Sequence, residues 1–255
     1  MFEDKLIPLD SWVTQLVEWL VDNYREVFQL IKWPVEQTLT GFDMGLNALP
    51  PVLVILVMAG LAWRFSGWGL AAFSTAALIL IGLMGFWTDT MTTLAMVLSS
   101  VLFCSIVGIP LGIAAGRNER VEGLIRPFLD AMQTTPSFVY LVPIVMLFSV
   151  GNVAGVLATI IFAMPPIIRL TSLGIRQVHP ELVEAALAFG ATPWQVLIKV
   201  QVPLALPTIL AGLNQTIMMA LAMVVIAALI GAGGLGSPVV LGLNTLDIGL
   251  AVIAG

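Results

Sequence analysis

Long uncharged runs separated by isolated charges dominate the chain. Residues 44–63 form a run of 20, residues 65–88 a run of 24, residues 90–116 a run of 27 and residues 131–168 a run of 38. A last long run lies between Lys199 and Asp247. About 20 apolar residues cross the ~30 Å hydrocarbon core of a bilayer as one helix, so the first three runs each predict one span. The fourth predicts two, because Gly151-Asn152 is a turn signal at its middle and each flank is just long enough to cross. The fifth predicts one helix over about residues 208–230, followed by a Gly-rich stretch over 231–242. A further apolar segment begins at Ile248 and meets the chain end at Gly255. That segment is too short to span, so the sequence is expected to stop short of the natural C-terminus.

Ahead of the first span, apolar residues recur at Val13, Leu16, Val17, Leu20, Tyr24, Val27, Phe28 and Ile31, at spacings of mostly three and four. This predicts an amphipathic helix over residues 6–31, with Trp12, Trp19 and Trp33 suited to the headgroup zone. It is expected to lie on the outer membrane face; a contact surface for an external protein is the alternative. The chain therefore divides into an external N-terminal segment, 1–48, and a transmembrane domain, 49–255.

Composition agrees with this pattern. Apolar residues make up 59% of the chain and charged residues 10%, with mean hydropathy +1.05, whereas a soluble domain carries roughly 25% charged residues. A water-facing surface cannot be built from such an inventory, and disordered, collagenous, coiled-coil and disulfide-scaffold classes are excluded. Cys104 is the only cysteine and His179 the only histidine, so neither an internal disulfide nor a metal site is expected. Residues 1–49 hold eight acidic and three basic residues, and the remainder is balanced. An acidic leader is no secretory signal peptide, and the low basic content argues against a nucleic-acid partner.

Beyond the leader, Arg64, Arg117, Arg120, Arg126, Arg169, Arg176 and Lys199 all follow odd-numbered spans, while the opposite loops carry only Asp89, Gly151-Asn152 and Asp247. Lys and Arg resist translocation. The N-terminus is thus expected outside and the loop over 170–207 in the cytoplasm.

That loop is the most informative part of the chain. Pro180 suits a first helical position and Glu181 the positive end of a helix dipole, so a short helix should start there and run through Glu184-Ala185-Ala186. Gly190 supplies a left-handed stop. Thr192 and Gln195 read as a capping box opening a second helix, which Pro203 is expected to end. The product is a helix-turn-helix outside the membrane; a mere connector is the alternative reading.

Three groups of residues in the spans carry further expectations. Gly108, Gly112 and Gly116, four apart, permit close helix packing, within one subunit first and at a dimer interface second. Pro110 between them should loosen that helix. Gln133, Thr134, Asn214 and Gln215 are costly in hydrocarbon and should face the bundle interior, as helix-to-helix hydrogen bonds or as the lining of a solute path. Tyr140 and Met218 add polarisable surface nearby, where an aromatic face attracts a quaternary ammonium weakly. The Gly231–Gly236 match to GxGxxG has no strand before it and reads as a flexible external turn rather than a nucleotide site.

Glu184-Ala185-Ala186, Gly190 three residues on, and Val200 with Val202-Pro203 resemble the loop signature of ATP-binding-cassette importer permeases: EAA, three residues, G, nine residues, I, one residue, LP. Valines stand here for the isoleucine and the leucine. The text around Arg126-Pro127-Phe128-Leu129-Asp130, Pro165-Pro166-Ile167-Ile168-Arg169 and Asn214-Gln215-Thr216 is similar to the glycine betaine, proline betaine and choline branch, over about residues 85–255. The resemblance implies an all-α polytopic bundle of the type I importer permease kind, with a cytoplasmic coupling helix-turn-helix in its membrane domain. It implies a permease that forms a homodimer in membrane lipid, receives solute from an external substrate-binding protein and docks a cytoplasmic ABC ATPase subunit. The coupling loop would be Glu184, Ala185, Ala186, Gly190, Val200 and Pro203. No cofactor is implied, and with no P-loop, GxSxG or HExxH pattern the chain is not expected to be an enzyme. A permease for another small solute and an ion-coupled secondary transporter stay as alternatives; Asp89, at a span end, is the only charge between residues 65 and 116, which weighs against the latter.

Overall fold

The structure, a computed structural model, describes residues 9–255; the first residues of the predicted leader helix, 6–8, lie outside the described residues. Every regular element among those described is helical. In chain order they are α1 (Leu9–Ala48), α2 (Pro51–Ser66), α3 (Trp68–Leu83), α4 (Trp87–Arg117), α5 (Glu119–Thr134), α6 (Ser137–Phe148), α7 (Asn152–Arg176), α8 (Pro180–Ala188), α9 (Pro193–Val196), α10 (Val202–Ala227), α11 (Gly236–Thr245) and α12 (Ile248–Ala254).

Among the described residues, three helices are long and apolar enough to cross a membrane singly: Trp87–Arg117, Asn152–Arg176 and the continuous stretch Pro193–Ile230. These form the core. Met96, Val156, Ile167, Met223 and Val224 are fully enclosed between them. Small residues let the backbones close up: a Cβ on Gly174 would meet Ala205 and Thr208 at 3.1–3.2 Å, and one on Gly212 would meet Leu170 Cβ at 3.0 Å. Three buried hydroxyls are satisfied within their own helices, Ser99 donating to the Ala95 carbonyl, Ser100 to that of Met96 and Thr159 to that of Gly155, so these polar atoms enter the core without needing partners across it.

The predicted boundaries fail in four places, each for a backbone reason that hydropathy does not see. The first predicted span, 44–63, is two helices: α1 runs on to Ala48 and α2 leaves it at 103°. Pro50 is held extended (ψ 135°) by the ring of Pro51. With 16 residues, α2 is about 24 Å long, and α3 matches it. The span predicted across 131–150 likewise breaks where Thr135, extended ahead of Pro136, turns the chain by 102° between α5 and α6. Conversely, α7 continues past Arg169 to Arg176, because a charge marks the edge of hydrocarbon and not the end of a helix. Pro203 does not end the second loop helix either. One wide turn over Leu197–Gln201, with the Val202 N–H reaching back to the Leu197 carbonyl, carries the chain from α9 into α10. Pro203 then occupies the first turn of α10, where a missing N–H is tolerated. Pro110 also stays within an uninterrupted α4.

The leader is helical as its periodicity predicts, with non-helical angles at Tyr24 (φ −122°, ψ 19°). Its second half does more than lie against a surface. Val35 and Leu39 are buried in the main core, Phe28 meets Phe148 edge to face at 5.6 Å, and Thr92 donates to the Asp43 carboxylate at 2.9 Å. It thus crosses the ends of α4 and α6 remote from α8. At that same end the Gly-rich stretch is held by two side-chain acceptors: Asn152 Oδ1 accepts the Gly233 N–H at 2.6 Å and Thr93 Oγ1 accepts that of Leu235 at 2.9 Å. Gly234 has φ +78° and no room for a Cβ, Thr93 Oγ1 lying 2.4 Å from where one would sit.

Candidate functional site

The loop between α7 and α10 is built from local signals. Pro180 opens α8, with Glu181 in its first turn. At the other end Gly190 takes φ +83°; its N–H bonds to the Leu187 carbonyl at 2.9 Å and that of Ala191 to the Ala186 carbonyl at 3.0 Å. This pair of bonds satisfies carbonyls that a helix end leaves open, and it requires a left-handed residue between them. Two residues later the capping box is complete: Thr192 Oγ1 accepts from Gln195 N, and Gln195 Oε1 accepts from Thr192 N.

What these elements present is an exposed helix. No residue of α8 is buried; Glu184 and Ala185 are exposed and Ala186 half-buried. A cleft of about 440 Å³, lined among others by Gly116, Ile175, Val183, Glu184 and Leu187, separates α8 from the ends of α4 and α7. Val200 is half-buried in the wide turn, and Pro203 is exposed just beyond it. Phe189, absent from the sequence-derived site, is 93% exposed at the tip of α8 beside Gly190. A large apolar residue immediately before a helix-stopping glycine, in a loop outside the spans, was the available signal.

The amides Asn214 and Gln215 do not face the inside of this chain. The buried stripe of α10 runs through Ala205, Ile209, Gly212, Thr216, Ala220 and Met223, at spacings of three and four. Asn214 and Met218 therefore fall on the far side and Gln215 on the flank of that stripe, and all three are exposed, against the expectation that Asn214 and Gln215 face the bundle interior. Gln133 is half-buried and Thr134 exposed at the end of α5, where Thr134 donates to the Asp130 carbonyl at 2.8 Å. Tyr140, on α6, keeps its hydroxyl enclosed with no partner, as does Thr216.

Gly108, Gly112 and Gly116 line the seam between α4 and α7. A Cβ at Gly108 would meet Ile167 Cγ2 at 2.5 Å, one at Gly112 would meet Thr171 Cβ at 2.5 Å and the Ile168 carbonyl oxygen at 2.8 Å, and one at Gly116 would meet Ile175 Cβ at 2.9 Å. Their partners lie within the same chain. Among the described residues no cluster of three or more His, Cys, Asp or Glu could hold a metal ion.

A family model described as "Binding-protein-dependent transport system inner membrane component" matches residues 108–255. Along its whole length the chain is 56% identical, over 254 residues, to the glycine betaine/proline betaine transport system permease protein ProW of Escherichia coli (strain K12), covering 72% of that protein. It is 46% identical over 249 residues to the glycine betaine transport system permease protein OpuAB of Bacillus subtilis (strain 168), covering 98% of this chain and 88% of that one. Among solved structures, the inward facing MetNI methionine ABC transporter superposes with a TM-score of 0.55 at 25% identity, over 64% of this chain and 82% of the matched chain.

Proposed function

The chain belongs to the family of binding-protein-dependent transport system inner membrane components, and from that premise we propose that it imports glycine betaine, proline betaine or a similar quaternary ammonium osmolyte such as choline. It is a multi-pass inner-membrane permease component, an all-α bundle of the type I importer kind, and not itself an enzyme; an ATPase subunit and a substrate-binding protein are its partners.

The observation that carries the mechanism is the exposed α8, held by Gly190 at φ +83° and set off from the bundle by a cleft. A rigid short helix with small alanines beside Glu184 offers a partner both close approach and one charge, and its cleft gives it room to rock. It is the docking element for the ATPase, with Phe189 as its apolar tip. The continuous helix Pro193–Ile230 then transmits displacement of the loop directly to mid-membrane, because no flexible joint intervenes.

Asn214 and Gln215 support a homodimer. They sit midway along α10, exposed on this chain, and amides facing hydrocarbon are costly. A second copy facing that side of α10 encloses them and leaves a solute path between the subunits, with Tyr140 and Met218 offering weak contacts suited to release. Sidedness is supported by charge and contact together: the basic residues of α4, α5, α7 and the loop that follows gather at the α8 end, which is cytoplasmic. The leader packs across the opposite end, so the N-terminus is external, where α1 can meet the binding protein.

Reconstitution of the chain with its ATPase and binding protein in proteoliposomes tests this: ATP inside and binding protein outside should drive glycine betaine uptake. Uptake that persists without ATP but follows an ion gradient would replace this reading by the secondary-transporter one. On a Cys104→Ser background, Gln15→Cys should react with an impermeant thiol reagent from outside and Gln195→Cys should not; the reverse pattern would invert the topology.

A further inference from the structure

A second cleft, of about 450 Å³, opens between α5 and α7 near their cytoplasmic ends, lined among others by Glu122, Arg126, Asp130, Arg169 and Arg176. Five charges line this one cavity at the edge of the bundle, where each is costly to enclose unless it is paired or hydrated. Four of the five are paired across the cleft. Arg169 bonds Asp130 at 2.6 Å, and Arg176 pairs with Glu122 while also donating to the Ala115 carbonyl at 3.0 Å. Arg126 is the remaining cation. It is exposed, and no carboxylate lies within ion-pair distance of it among the described residues.

The cleft also continues a line of residues along α5. On α5, Glu122, Arg126, Asp130 and Gln133 follow at spacings of four, four and three, so they share one face of the helix. Gln133 and Thr134 end that helix at the 102° break with α6, and broken helices are where polar backbone and solute meet in transporters. The charged cleft thus shares a face of α5 with Gln133 at the break.

We propose that this cleft is a solute release station, and that Arg126 receives the carboxylate of a betaine while the trimethylammonium end passes over the apolar wall formed by Leu129, Ile168 and Leu173. The assignment rests on the importer reading above. Four of the surrounding charges neutralise one another, so a single free guanidinium, screened by water at its exposed position, gives a carboxylate a weak and reversible hold. A choline, lacking the carboxylate, has nothing for Arg126 to hold, which makes Arg126 a residue that separates carboxylated from uncarboxylated solutes.

The test uses the assembled complex in nanodiscs on a Cys104→Ser background with Leu173→Cys, a lining position distinct from Arg126. Glycine betaine is expected to slow alkylation of the introduced thiol and choline to leave it unchanged, and adding Arg126→Gln should abolish the protection. In proteoliposomes Arg126→Gln should cut glycine betaine import by about tenfold, the order of one lost charge-assisted hydrogen bond, with Arg126→Lys retaining part of it and ATPase co-purification unaltered. Equal protection by choline would overturn the carboxylate assignment. Alkylation that responds to the anionic lipid fraction and not to solute would make the cleft a headgroup site instead. Import of glycine betaine without any protection sinks this assignment alone, whereas a complex that imports none sinks the importer reading and this station with it.

Discussion

Replacing Gly112 by alanine adds one methyl group at the tightest point between α4 and α7. Its Cβ would sit 2.5 Å from Thr171 Cβ and 2.8 Å from the Ile168 carbonyl oxygen, where carbon contacts are optimal at about 3.5–4.0 Å. Thr171 is fully enclosed and the carbonyl belongs to helical backbone, so no rotamer change relieves the clash. The helices must move apart by about 1 Å, and the loss spreads to Gly108 and Gly116 on the same seam. Overpacking of this kind costs about 1–3 kcal/mol. Alanine recovers up to about 1 kcal/mol over glycine within a helix. Because the obstruction includes backbone, the upper part of the cost range applies and a net loss of about 2 kcal/mol is expected. For a chain of this size that lowers the melting temperature by about 4–8 °C, read as monodisperse protein surviving a temperature series in detergent. Gly123→Ala on α5 is the control: nothing lies within 4 Å of its added methyl, so stability should hold or rise. Gly112→Ala melting with the wild type would show that the seam does not need a bare backbone there. An equal fall in Gly123→Ala would show that the loss comes from elsewhere.

A Cβ at Gly190 meets nothing within 4 Å, so the cost of Gly190→Leu, roughly 1–2 kcal/mol, comes mainly from backbone conformation; membrane abundance should hold while solute-stimulated ATP hydrolysis falls, and normal hydrolysis would refute the cap's role. Gly190→Asn, which tolerates the left-handed region, should retain most activity. Glu184 is exposed, so Glu184→Ala should cost no more than about 0.5 kcal/mol of stability, yet recovery of the ATPase in co-purification should drop from wild type to alanine and further to lysine; equal recoveries would remove the carboxylate from docking. Asn152→Ala removes the acceptor of the Gly233 N–H, a loss of about 1 kcal/mol, and should speed amide exchange over residues 233–235, where unchanged exchange would mean that Thr93 alone holds the turn.

Two kinds of information were legible along the chain. Hydropathy decided the class, because a bilayer admits only segments that satisfy their own backbone and carry apolar side chains. The loop between α7 and α10 was legible almost to the residue, from Pro180 through Gly190 to the Thr192–Gln195 box, because a left-handed stop and a helix cap are set within four or five neighbouring positions. Prolines were harder to read: Pro51 and Pro136 broke spans that hydropathy joined, while Pro203 stayed within a helix because a wide turn preceding it absorbed the missing donor. A proline removes one bond, and only the neighbouring register determines whether the helix can do without it.

Tertiary structure alone decided which faces meet. Asn214 and Thr216 are both polar and two residues apart, yet Thr216 is enclosed and Asn214 exposed, because the stripe that packs against α7 passes through Gly212 and Thr216 and a helix turns about 100° per residue. The partners of Gly108, Gly112 and Gly116, and the pairing of Arg169 with Asp130 across 39 positions, were equally invisible. Side-chain spacing along a sequence specifies one face of a helix, but what that face touches depends on the approach of another helix whose own face is set independently. In this chain that approach closes the core on one side of α10 and leaves amides bare on the other.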